Sequence, residues 1–297
     1  MRQYIFTFLK GIAMGAADVV PGVSGGTIAF ITGIYDTLLE SIRRINPRLW
    51  PLFRQHGLVA VWQHINGNFL VALGLGILTS ILSFARLISY LLVHHPIPLW
   101  SFFTGLILIS ILHILKQVKA WHTTSIIALV IGAVLAWSMT VLHPVQLPEN
   151  NLSFFIGGAI AICAMILPGI SGSFILLLLG LYATVINAVK AFDFGIIAVF
   201  AMGCLVGLLS FSHLLSWLLR KHRNLTLCFL TGLMAGTLPK LWPWKLADSQ
   251  GVLLNVLPST YSQAMQVNSQ WLLAIGTALF GIAAVWLLEK VSKSDPA

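Results

Sequence analysis

The sequence predicts an all-α polytopic membrane protein made of two inverted-topology repeats, each a re-entrant helical hairpin followed by three transmembrane helices. Three observations carry this expectation: 58% of the 297 residues are apolar and 8% charged, the chain repeats internally, and its basic residues are unevenly distributed. A soluble domain carries roughly 25% charged residues because its exterior must be wetted, and this chain has about a third of that. Disorder is excluded, since it needs low hydrophobicity. Cys163, Cys204 and Cys228 stand singly in apolar runs without metal-ligand spacing, and read as small buried residues. The net charge of +9 does not point to nucleic acid, because the basic residues form short clusters between apolar runs.

The repeat organises the chain. PGVSGGTIAFITGIYDT (21–37) matches PGISGSFILLLLGLYAT (168–184) at an offset of 147, with Gly33/Gly180 and Tyr35/Tyr182 in register. LSFARLISYLL (82–92) matches LSFSHLLSWLL (209–219) at an offset of 127, as does FFTGL (102–106) with FLTGL (229–233). Gly132 and Trp137 fall opposite Gly281 and Trp286. The halves are 1–148 and 149–297 of one membrane domain. Because the N-terminal segment has a partner deep inside the chain, and Lys10 interrupts its apolar run, it is expected to be structural and not a cleaved signal.

Three runs in each half are candidates to cross a bilayer, which takes ~20 helical residues: 69–93, 99–115 and 124–142, then 196–219, 225–238 and 271–288. Each half opens with a segment, 4–42 and 153–189, broken midway by Pro-Gly-x-Ser-Gly. Its arms, ~15 residues each, are short for a span, so each segment is expected to be a re-entrant hairpin. With hairpins, thirteen basic residues share one side and only Lys190, Lys240 and Lys245 lie on the other. The positive-inside rule then puts both termini in the cytoplasm. Three net crossings per half invert the second half, the plan of secondary transporters with a midplane site.

The breaks carry the chemistry. Pro21, Gly22, Pro168 and Gly169 interrupt the helices, and Ser24, Gly25, Gly26 and Thr27 in one half, with Ser171, Gly172 and Ser173 in the other, open the next arms. N–H groups freed at a helix start suit an anion such as phosphate; glycines allow close approach and hydroxyls add donors. The bland alternative is a kink that lets helices pack closely. Arg86, inside an apolar run, is a candidate bidentate phosphate partner, or else pairs with Asp18 or snorkels to the interface. Its repeat counterpart His213 is a ligand, a titrating group or a core histidine. Asp18, replaced by Met165 in the second half, can carry a coupling proton or cation, orient Arg86, or bond the tip backbone. Asp36 and Glu40 with Arg43 and Arg44 read as a solvated helix end, and His94 and His95 as an exposed turn. In the external loop 239–270, Trp242 and Trp244 suit the headgroup belt, with Lys240 and Lys245 as interfacial anchors able to attract lipid phosphates.

The pairing of GIAMGAADVVPGVSGGTIAFITGIYDTLL (11–39) with ILPGISGSFILLLLGLY (166–182) closely resembles the polyprenyl-phosphate transporter family, across essentially the whole chain. That resemblance implies a bacterial inner-membrane protein that returns undecaprenyl phosphate from the outer to the cytoplasmic leaflet, recycling the carrier of peptidoglycan synthesis. It carries over Asp18, Pro21 to Thr27 and Pro168 to Ser173 as motif positions. The expected partners are this lipid and the membrane, the expected cofactors none beyond a coupling ion, H⁺ or Na⁺, and the expected cycle a rocking of the halves. Undecaprenyl-pyrophosphate phosphatases also have Pro-Gly-x-Ser tips, but that family follows the serine with arginine, where this chain has Gly25 and Gly172, and supplies paired glutamates that neither arm offers. An ion-coupled carrier of a small anion is the other alternative.

Overall fold

The computed structural model describes residues 2–20, 23–142, 145–248 and 253–293. Seven helices precede residue 143: α1 (Arg2–Asp18), α2 (Gly25–Ile31), α3 (Tyr35–Arg43), α4 (Leu49–His64), α5 (Gly67–His94), α6 (Pro96–Leu115) and α7 (Thr123–Val141). Then come α8 (Asn151–Ile166), α9 (Gly172–Leu178), α10 (Tyr182–Ala191), α11 (Phe194–Lys221) and α12 (Arg223–Leu241), followed by a small hairpin, β1 (Lys245–Ala247) with β2 (Leu253–Asn255), α13 (Pro258–Met265) and α14 (Trp271–Lys293). Among the described residues α5, α6, α7 and α11 are each long and apolar enough to cross a membrane, and α9 with α10 forms a fifth candidate bent by 111°. The chain is an all-α polytopic membrane protein. Helix starts follow local chemistry: Asn150 accepts from Ser153 N–H at 2.8 Å, Asp193 caps α11 through Gly195 and Ile196, and Pro96 opens α6.

Four helix pairs form the scaffold: α1 with α5, α8 with α11, α6 with α14, and α7 with α12. In hydrocarbon, apolar side chains gain little by meeting one another, so pairing relies on close backbone approach. Glycines supply it at positions that recur at the sequence offsets. A Cβ on Gly76 would strike Phe8 O, and one on Gly203 would strike Phe155 O; Gly132 faces Phe229 O, and Gly281 faces Phe102 O. Gly11 meets Leu73 and Gly15 meets Ile77 and Ser80, so α1 and α5 run parallel. The intervening chain therefore returns to the side from which α1 starts. Likewise Gly232 meets Leu129 and Gly236 meets Ala133, so α7 and α12 run parallel.

Two features go beyond the sequence reading, and one expectation needs correction. The chain after each break is bent again at Gly33 (φ +72°) and Gly180 (φ +71°), a backbone region glycine enters without strain. The segment before α5 includes α4, which turns at Gly57 (φ +74°). Trp244 does not face outwards as a belt residue would: it is buried with Ile97 and Ala274, its indole N–H donating to Ser269 O at 2.8 Å, while that of Trp242 donates to Val256 O. These bonds fold the β1–β2 loop back onto the helices. The cysteines are free thiols, half-buried or buried.

The packing yields a contrast within one helix. Gly281→Ala drives a methyl into the backbone of α6, an overpacking worth about 1–3 kcal/mol, whereas Gly276 has nothing within 4 Å of a built Cβ. Thermal unfolding in detergent should show a lower midpoint for Gly281→Ala and none for Gly276→Ala.

Candidate functional site

The two breaks meet. Ser24 is the N-cap of α2 in extended conformation, and its oxygen accepts from Gly26 N–H at 3.1 Å. Its hydroxyl proton is directed at the second break, towards Met165 O at 3.1 Å and Leu167 O at 3.2 Å. Thr27 accepts from Gly169 N–H at 2.9 Å, and the Tyr35 hydroxyl donates to Ile166 O at 3.1 Å. Ser24 and Thr27 are 0% exposed. Only glycine fits at position 26, because a Cβ there would lie 2.5 Å from Ile166 O. The end of α8 thus leaves carbonyls that the first break's hydroxyls satisfy, as a water-free interior requires. Asp18 bonds the tip backbone: its carboxylate accepts from Gly25 N–H at 2.7 Å. Lys10 reaches from α1 to Thr32 O at 3.0 Å, at the carbonyl end of α2. Pro21 and Gly22 lie outside the described residues.

The second break is built differently. Gly169 takes φ +87° and lies under Met234 and Thr237 of α12, with Thr237 Oγ1 3.3 Å from where its Cβ would be. Pro168, Gly169 and Gly172 are buried, and the Ser171 and Ser173 hydroxyls bond each other at 2.8 Å. Met165, opposite Asp18 in the repeat, stands beside Gly172 at 3.4 Å from its built Cβ and offers no carboxylate. Lys240 is not an exposed anchor: its Nζ is buried and lies 2.8 Å from the centroid of the Phe174 ring. Lys245 donates to Lys240 O and lies over Trp100, and burial holds its ammonium below the usual lysine range.

Arg86 and His213 are not gathered at the breaks. The buried face of α5 runs through Leu73, Gly76, Ser80 and Ile88, which turns Arg86 outwards, and it makes no ion pair with Asp18. His213 is exposed, bonds Leu209 O at 2.7 Å, and faces Ile45 and Pro47. Asp36 and Glu40, read as a solvated helix end, instead tie α3 to the α11–α12 junction. Asp36 pairs with Arg223 at 3.1 Å, and Glu40 pairs with Arg220 at 3.0 Å and Arg43 at 2.6 Å. Ser216 also donates to Glu40. Neither link was legible locally, because each spans more than 170 residues of sequence. Tyr35 was equally hidden: nothing in TGIY marks its hydroxyl as a partner of the other half.

Beside the second break lies an apolar cavity of about 670 Å³ between α7, α8, α11 and α12, walled by Leu135, Ala164, Leu167, Ile170, Leu215 and Leu233 among others. It is shaped for hydrocarbon and adjoins the polar breaks.

The ion pairs at α3 are half exposed, so a double-mutant cycle on Glu40→Gln and Arg220→Gln should give a coupling of about 0.2–1 kcal/mol in thermal unfolding. The hydrogen bond from Arg43 and the surrounding guanidinium charges hold Glu40 below its ordinary value of 4.5. The coupling is therefore full above pH 4.5 and vanishes as the pH falls through the lowered value.

The chain is 57% identical to the polyprenyl-phosphate transporter of Vibrio cholerae serotype O1, over 98% of both chains. It is 34% identical to the polyprenyl-phosphate transporter of Staphylococcus aureus, over 82% of this chain and 88% of that one. No solved structure matches it. The profile of the undecaprenyl phosphate translocase-like family matches residues 14–255, which include both breaks and the contact between them, and the chain belongs to that family.

Proposed function

We propose that this protein carries a polyprenyl phosphate, undecaprenyl phosphate in particular, from the outer to the cytoplasmic leaflet of the bacterial inner membrane. It recycles the lipid carrier of envelope polymer synthesis and performs no hydrolysis. The observation that carries the reading is the hydrogen-bonded contact between two helix breaks beside an apolar cavity. A phosphate head needs donors in place of water, since a bare charge in hydrocarbon is very costly. Ser24, Gly25, Gly26, Thr27, Ser171, Gly172 and Ser173 supply hydroxyls and amides, and the cavity takes the proximal isoprenoid tail. In the conformation described, the donors of the first break are engaged with Asp18 and with the second break. The head enters by replacing these bonds, so the closed contact is one end of an alternating-access cycle. The names of the two relatives support the substrate class.

The halves 1–148 and 149–297 are inverted repeats in this reading. Support comes from the parallel run of α7 and α12, the third spanning helix of one half and the second of the other, together with the recurrent glycine approaches. Both termini are cytoplasmic, on the side rich in arginine and lysine. The α3 ion pairs then close the cytoplasmic side. Their counterparts on the other side, Ala183, Asn187, Val93 and Pro96, carry no charge. Rocking of intact sequence halves does not suit the scaffold, since α14 packs on α6 and α12 on α7. The moving parts are the hairpins against the paired helices. Asp18 is the coupling group: taking up H⁺, or binding Na⁺, weakens its hold on Gly25 and loosens the first tip.

In liposomes, the purified protein should move fluorescent undecaprenyl phosphate between leaflets, and Ser24→Ala and Thr27→Val should each slow this about tenfold, the loss of one charge-assisted hydrogen bond. Unchanged rates in both variants would remove the breaks from the transport path. Phosphate release from undecaprenyl pyrophosphate would establish an enzyme instead. Imposed pH and Na⁺ gradients identify the coupling ion, and Asp18→Asn should abolish the response to whichever gradient drives wild type.

A further inference from the structure

Lys240 ends the last turn of α12, at the opposite end of that helix from the Asp36–Arg223 pair. Its Nζ is shut off from solvent and has no hydrogen-bond partner among the described residues. The Phe174 face beside it attracts a cation but accepts no proton. An ammonium held in this way lacks the anion that normally accompanies a buried charge. Among the described residues the acids are engaged elsewhere: Asp18 on Gly25, Asp36 and Glu40 on arginines, Glu149 on Thr184, Asp193 at the start of α11, and Asp248 in a contact of its own. Phe174 directly follows Ser173, whose hydroxyl pairs with that of Ser171. Lys245 adds a second ammonium, bonded to the Lys240 carbonyl. The repeat supplies an internal comparison. In the first half a carboxylate sits against Gly25, whereas Met165 stands at the matching place beside Gly172 and leaves it without an acid.

We infer that Lys240, with the hydroxyls of Ser171 and Ser173, forms a receiving site for the phosphate monoester head of the lipid on the outer side, before the two breaks part. It rests on the proposed function and assigns the first contact to the second half alone. Phe174 and Trp100 flank the head, and the ester-linked chain leaves towards the membrane.

The test uses the full chain in phosphatidylcholine nanodiscs, with tryptophan fluorescence read during titration by geranylgeranyl monophosphate, geranylgeraniol and inorganic phosphate. Lys240→Gln should weaken geranylgeranyl monophosphate binding about tenfold or more and leave geranylgeraniol binding unchanged. Lys240→Arg should retain most of the affinity, and Lys190→Gln, an exposed control on α10, all of it. Should Lys240→Gln not purify as a single species, the pair Ser171→Ala and Ser173→Ala must show the same selective loss. Wild-type affinity in Lys240→Gln, in protein that still moves polyprenyl phosphate between leaflets, overturns this site and leaves the proposed function standing. A wild type that neither binds nor moves the lipid overturns both. Inorganic phosphate bound as tightly as the lipid, with both lost in Lys240→Gln, supports the anion site and overturns its assignment to a lipid head.

Discussion

A helix that stops within hydrocarbon leaves amide and carbonyl groups that lipid cannot satisfy, and the arrangement at the centre of this protein answers that constraint. The carbonyls of Met165, Ile166 and Leu167 find the hydroxyls of Ser24 and Tyr35, and Gly169 N–H finds Thr27. Each break is thus the solvent of the other. The bonds need near contact, which explains why Gly26 cannot carry a side chain and why Ser24 and Thr27 are wholly buried. A group that opens the contact must offer acceptors to the Ser24 hydroxyl and to Gly169 N–H, which an oxyanion does and an alkyl chain does not, while the carbonyls of Met165 and Leu167 must find other donors.

The scaffold is nearly the same in both halves, while the breaks have diverged. Gly11, Gly76, Gly105 and Gly281 make the same backbone approaches as Gly158, Gly203, Gly232 and Gly132. Around the tips, Asp18 faces Met165 across the repeat, Thr27 faces Phe174, and His113 faces Lys240. A carrier with identical halves has no reason to bind differently from either leaflet. Substitution at the tips, and the ion pairs seen at α3 among the described residues, make the two halves chemically unlike.

Much of this was readable in advance because it is written as periodicity. The apolar runs, the Pro-Gly-x-Ser-Gly pair and the offsets of 147 and 127 located the helices, the breaks and their partners. Long-range chemistry was not legible in that way. Arg86 looked central because it is a charge in an apolar run, but helical phase decides which way it points, and the buried face of α5 passes through Ile88 instead. Lys240 and Trp244 looked like outward-facing anchors because they lie near a helix end, but Lys240 Nζ is buried against Phe174 and Trp244 is held down by the loop beyond. The second bends at Gly33 and Gly180 sat in plain view within matched motifs, but a lone glycine does not announce a positive φ.

The exchange of partners between halves also bears on how the chain is made. Helix α6 closes on α14, and α7 on α12, so two central helices emerge from the ribosome well before their counterparts exist. Until then the faces of Gly105 and Gly132, shaped for intimate contact with another backbone, are covered only by lipid. The α6 seam is therefore filled only once α14 has been made, and a product truncated just before α14 would carry that seam open along the face of Gly105.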